Sequence, residues 1–151
     1  MPEKSTIEKA RRDQREGKAP STQAGEFVHE EIEHIREGKH GARSAKQAIA
    51  IGLSKAKRAG VRLPPPNGNA SSETRKKAER DSAVGIGAGR PPSKARSRAT
   101  TKALEREGSS AASHEALSRQ ARKSARGRSA TSRKTAAQKA VRTRRRMTRG
   151  R

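Results

Sequence analysis

Eighty-eight residues follow Leu63, and only six of them are large and apolar: Val84, Ile86, Leu104, Leu117, Val141 and Met147. Fully buried, those six side chains would return roughly 9 to 18 kcal/mol. Ordering the backbones they belong to costs on the order of 90 to 180 kcal/mol, at about 1 to 2 each. The same stretch carries 24 Lys and Arg against 6 Asp and Glu, and from Ala116 to Arg151 there are 14 basic residues and no acidic one. The expected fold class is therefore a mostly disordered chain with a basic C-terminal tail. Ala-rich stretches such as Ser113 to Ala125 are expected to turn helical once phosphates neutralise their cations.

The rest of the composition narrows the possibilities further. Phe27 is the one aromatic residue, Trp, Tyr and Cys are absent, and the net charge is +23. A large core, disulfides and thiol chemistry are excluded. No apolar run approaches the roughly 20 residues of a membrane helix, and Met1 to Lys18 is mixed in charge without the apolar stretch of a signal peptide. A cytoplasmic chain associated with the nucleoid is expected. A pI near 11.7 predicts polyanionic partners, nucleic acid before a membrane surface or an acidic protein. No membrane partner is expected, because the basic stretches lack a Leu, Phe or Trp stripe.

Four stretches follow from charge and periodicity: residues 1–20 as a polar N-terminal helix or arm, 21–66 as an αα-hairpin, 67–112 as a flexible linker and 113–151 as a basic nucleic-acid-binding tail. Ser5-Thr6-Ile7-Glu8 reads as a capping box opening a helix that stops near Gly17 and frays, since Ile7 is its single large apolar residue. Val28, Ile32 and Ile35, with Phe27 beside them, recur at helical spacing and predict an amphipathic helix that Gly38 ends. Its outer face would carry Glu30, Glu33 and Glu37. Lys39 to Arg43 then lead to a second capping box, Ser44-Ala45-Lys46-Gln47, and to a face of Ala45, Ala48, Ile49, Gly52, Leu53 and Ala56 that runs as far as Gly60. Small residues at 48, 52 and 56 permit a close approach of the two helices. Ile51 points away from that stripe, so it is either the contact of a homodimer or packs under Val61 and Leu63. Pro64-Pro65-Pro66-Asn67-Gly68 marks the boundary with the linker.

The segment from Glu26 to Pro66, with Gly38-Lys39-His40-Gly41 and the run Lys46-Gln47-Ala48-Ile49-Ala50-Ile51-Gly52-Leu53-Ser54-Lys55-Ala56, resembles an uncharacterised bacterial family of short basic proteins. That family, a domain of unknown function loosely described as DNA-binding, shares a K-Q-A-I-A-I-x-L-S-x-A run before an Ala-Gly and a proline. The C-terminal part is similar in composition to the tails of linker histones and bacterial histone-like proteins.

His29-Glu30-Glu31-Ile32-Glu33-His34 approaches the H-E-x-x-H zinc helix, but its histidines are five apart, about 140° around a helix, and cannot share an ion from one face. The expected reading is a solvated acidic face, with no metal and no cofactor. No nucleophile, base and oxyanion donor fall together around a pocket, so neither enzyme activity nor a small-molecule substrate is expected. Gly85-Ile86-Gly87-Ala88-Gly89 lacks the strand and apolar helix of a phosphate loop and reads as linker. Gly89-Arg90-Pro91 is the core of an AT-hook-like element that would lay Arg90 into a narrow minor groove, with Lys94, Arg96 and Arg98 as basic flanks. The strongest signal is the pair of basic runs carrying Arg119, Arg122, Lys123, Arg126, Arg128, Arg133, Lys134 and Lys139, then Arg142, Arg144, Arg145, Arg146, Arg149 and Arg151. These would bind phosphates by counterion release, without a fixed pocket. Duplex DNA is favoured over single-stranded RNA because one phenylalanine builds no stacking platform. A structured-RNA or ribosome partner is the alternative, and an adaptor acting through the hairpin is the second.

Overall fold

The computed structural model describes residues 2–66, 70–90 and 93–149, the side chains at 143 and 146–149 excepted. These residues form seven α-helices: α1 Lys4–Arg15, α2 Pro20–Arg36, α3 Ala45–Arg58, α4 Ser72–Gly85, α5 Lys94–Glu105, α6 His114–Arg126 and α7 Ala130–Arg149. A 3-10 turn, Ser110–Ala112, precedes α6, and no strand occurs among the described residues. The chain divides into two compact units, Met1–Ala116 and Leu117–Arg151. The expectation of a mostly disordered chain is overturned by the helices that fill the stretch after Pro66.

Two local causes explain those helices. Ser44, Ser71, Ser93, Ser113 and Ser129 stand at helix starts, and the hydroxyl of each accepts from the backbone N–H three residues on, at 3.1 to 3.3 Å. Such caps satisfy donors that a helix start otherwise leaves open. Between the caps lie Ala, Arg, Lys and Gln, which lose little on entering a helix. A count of large apolar side chains misses both effects. The helix stops are as regular, since Gly17, Gly38, Gly60 and Gly87 all have positive φ, from 70° to 94°. At each, the glycine N–H and the next N–H turn back onto the last turn of the helix, the Schellman arrangement. Gly85 to Gly89 thus ends α4 rather than forming a linker.

In the first unit α2 and α3 form the expected hairpin. Ala45, Ala48, Gly52 and Ala56 are buried on α3, and Phe27 and Ile35 are buried on α2. At Gly52 a Cβ would lie 2.6 Å from Val28 Cα and 3.0 Å from the Phe27 carbonyl, so the backbones themselves are in contact. One apolar cluster joins Ala10 of α1, Ala24 and Phe27 of α2, Ala56 of α3 and Val61, with Ile7, Leu53 and Leu63 against it. The other joins Ile35, Ala42 and Ala48 to Ala111 and Ala112 of the 3-10 turn. The interior is built largely of alanine, which explains how so few large side chains suffice.

Several local expectations are corrected. The first helix starts at Lys4 with Glu3 as its cap residue and no side-chain cap, so Ser5 and Glu8 form no capping box. It is docked on α2 rather than frayed, with Thr6, Ala10 and Asp13 buried. Lys18 Nζ closes its end on Asp13 at 2.7 Å and Glu16 at 2.8 Å, and these partners raise the Lys18 pKa. Glu30 does not lie on an outer face; both Glu30 and Glu31 are buried. Val61 and Leu63 join the Phe27 cluster and do not cover Ile51, which is half-buried on another side of α3. Asn67 and Gly68, part of the expected boundary, lie outside the described residues.

Backbone contact at Gly52 generates a paired expectation. Gly52→Ala should destabilise the first unit by about 1 to 3 kcal/mol through overpacking. Gly25→Ala, on the exposed side of α2 with nothing within 4 Å of the new Cβ, should be neutral or stabilise by about 0.5 to 1 kcal/mol. Urea unfolding of both variants checks this, and equal effects would mean that the helices do not meet as described.

Candidate nucleic-acid interface

The second unit, Leu117–Arg151, coincides with the acid-free stretch: it holds 14 Lys and Arg and no Asp or Glu. In α6, Arg119, Arg122, Lys123 and Arg126 follow an i, i+3, i+4, i+7 spacing and form one exposed stripe. That stripe is about 100° wide and about 10 Å long at 1.5 Å per residue. Leu117, Ala121 and Ser124 fall on the opposite side. In α7 the exposed cations Arg133, Lys134, Lys139, Arg142, Arg144 and Arg145 are distributed around the whole helix. Arg128 is exposed in the connection between the two helices. Arg151 and the side chains of Arg146 and Arg149 lie outside the described residues.

The first unit adds a second basic surface that sequence reasoning did not assemble. An open cleft of about 680 Å³ lies between α3, α4 and α5. Arg58, Lys77, Arg80, Arg90 and Arg96 line it, with Ile51, Val84 and Leu104 as its apolar floor and Asp81 as its carboxylate. Asp81 accepts a short hydrogen bond from the Ser54 hydroxyl and faces Arg58 Nε at 3.6 Å, which ties α4 to α3 and offsets its charge. Among the described residues no carboxylate pairs with Lys77, Arg80, Arg90 or Arg96, so the cleft keeps a positive field. Arg90 and Arg96, expected to serve a minor-groove element, are thus placed at this cleft, and Lys94 and Arg98 are exposed on α5. Pro91 of that element lies outside the described residues.

A buried polar cluster joins α2 and α3. Lys55 Nζ of α3 reaches Glu30 Oε1 at 3.2 Å and Glu31 Oε2 at 2.7 Å on α2. Burial alone would raise the Glu30 pKa, but the Thr6 hydroxyl, the Glu3 N–H and the Lys55 ammonium together hold it below its usual 4.5. Glu3 is likewise lowered, chiefly by its hydrogen bond with His34, against a smaller opposing effect of burial and with help from Lys39. Glu31, His34 and His40 bring one ligand atom each to within 4.8 Å of one another, a spacing that suits a metal ion. His29, paired with His34 in the sequence motif, is exposed and outside this group. The missed member is His40, which a turn brings back over α2 and which no periodicity could place.

A scan against family models, a search of curated proteins and a search of solved structures each returned no match. No helix among the described residues is long and apolar enough to cross a membrane.

Lys55→Ala should leave two buried carboxylates without their counter-charge and destabilise the first unit by about 3 to 5 kcal/mol. Loss of less than about 1 kcal/mol in urea unfolding would show that Lys55 is not their main partner.

Proposed function

We propose that the chain is a non-catalytic nucleic-acid-binding protein that holds duplex DNA largely without regard to sequence, through phosphate contacts of its C-terminal unit. The observation that carries this reading is the coincidence of the compact unit Leu117–Arg151 with a stretch of 14 cations and no carboxylate. Helix α6 gives part of that charge a direction, because its basic stripe would face a phosphate strand while the side of Leu117, Ala121 and Ser124 would face away. A helix of ordinary diameter, about 10 to 12 Å, fits the major groove of about 12 Å. The cleft cations Lys77, Arg80, Arg90 and Arg96 extend the attraction to the first unit. Phosphate neutralisation reads charge spacing, not base edges, so coating or compaction of the nucleoid follows more naturally than operator recognition.

A salt titration on labelled duplexes tests this reading. If about 8 to 12 phosphates are engaged, log K should fall against log salt with a slope near −7 to −11. Replacing Arg119, Arg122, Lys123 and Arg126 together by Gln should flatten the slope by about 3 to 4. Truncation after Ala116 should remove most of it. Mixed, A·T-rich and G·C-rich duplexes should bind alike, apart from a small A·T preference lost in Arg90→Ala if the Gly89-Arg90-Pro91 element is used. A slope flatter than about −3, or a truncated chain that binds like the whole, would refute the assignment. Tighter binding to an RNA hairpin than to duplex DNA at equal salt would favour the structured-RNA alternative.

A further inference from the structure

Glu31 is completely buried, and neither carboxylate oxygen has an aligned hydrogen-bond donor. The Lys55 ammonium lies 2.7 Å from Oε2 and balances one side of the group by charge. The other oxygen, Oε1, faces His40 Nε2 at 3.4 Å. The His40 ring is oriented by its other nitrogen, since Nδ1 lies 3.2 Å from the Gly41 carbonyl. A carbonyl only accepts, so Nδ1 is the ring nitrogen that donates to Gly41, and Nε2 is the one that faces Glu31. A metal ion held between Nε2 and the carboxylate would give the buried Oε1 the partner it lacks.

The third group is already at hand. His34 is one turn beyond Glu31 on the same face of α2, and its ring stands edge-on to that of His40 with centroids 6.2 Å apart. His34 Nε2 pairs with Glu3 Oε1 at 2.9 Å. With Nε2 donating to Glu3, Nδ1 would be the nitrogen left to bind an ion, backed by the carboxylate-to-histidine support that metal sites use. A tetrahedral ion with bonds of about 2.0 to 2.1 Å needs ligand atoms about 3.3 Å apart. The Glu31 to His40 pair stands at 3.4 Å, and the remaining separations lie within 4.8 Å.

We propose that Glu31, His34 and His40 form a binding site for a divalent transition-metal ion, with zinc as its best match. Two imidazoles and one carboxylate suit zinc rather than magnesium or calcium, and three protein ligands leave a fourth position for water. The ion would clip α2 to the turn after it. That turn also receives the end of α5, through the Gly41 N–H on the Leu104 carbonyl and the Ala42 N–H on the Gly108 carbonyl. A metal staple there strengthens a unit whose interior is largely alanine.

The test uses the untagged full chain, stripped with chelator and titrated with zinc by calorimetry and with cobalt by visible spectroscopy. One zinc per chain, visible cobalt bands of a low-coordinate ion and a raised thermal midpoint are expected. His40→Ala and Glu31→Gln should each weaken binding by more than about tenfold, and Glu3→Gln by about tenfold through His34. His29→Ala and His114→Ala should leave binding unchanged. Circular dichroism of each variant separates lost binding from lost fold, and His40→Gln serves if His40→Ala does not fold. Absence of a one-to-one site in the folded chain, or binding that survives His40→Ala, would overturn the proposal. Protonated His40 would then be the cation that faces Glu31.

Discussion

At Gly52 the bare backbone of α3 rests on Val28 and Phe27 of α2, and this distance sets the rest of the first unit. A longer side chain there would separate the helices and draw Lys55 away from Glu30 and Glu31. The contact is possible because Ala48 and Ala56, one turn to either side, are as small as the approach demands. With the helices that close, α1 can cover the hairpin through Ile7 and Ala10, and the Ala111–Ala112 turn can cover its other end. Arg36 Nε adds a hydrogen bond to the Ala112 carbonyl at 3.1 Å. Around Phe27 and Ile35 the core is made largely of short side chains, whose value lies in letting backbones and stems meet rather than in the apolar area each one hides.

The second unit follows a different rule. From Ala121 to Arg142 every side chain is exposed, so its helices rest on caps and residue propensity rather than on burial. Ser129 supplies the start of α7, and alanines at 130, 136, 137 and 140 lower the cost of continuing. A helix of this kind presents its charge at fixed intervals of about 1.5 Å per residue, which an extended polycation does not. That regularity is what the proposed contact with a phosphate backbone would use.

Much of the hairpin was legible in the sequence. Gly38 as a stop, Ser44 with Gln47 as a start and the small-residue face of α3 all hold, because each depends on residues a few positions apart. The helices beyond Pro66 are written in the same local code, in Ser71, Ser93, Ser113 and Ser129, which a balance of backbone entropy against large apolar residues does not register. Burial of Glu30 and Glu31 was not legible, since it depends on Lys55 arriving from α3 and on α1 covering α2. The cleft and the Glu31, His34 and His40 group needed the same long-range information, because α4, α5 and the turn at 38–41 complete them.

In the proposed function the C-terminal helices, and not the acidic side of the hairpin, would meet the nucleic acid. Hydrogen exchange of the intact chain, with and without a duplex of about two helical turns at about 0.15 M salt, tests it most directly. Slowed exchange concentrated in α6 and α7, with a smaller effect along α4 and α5 at the cleft, is the expected result. Slowed exchange confined to α2 and α3, with α6 and α7 unchanged, would contradict it.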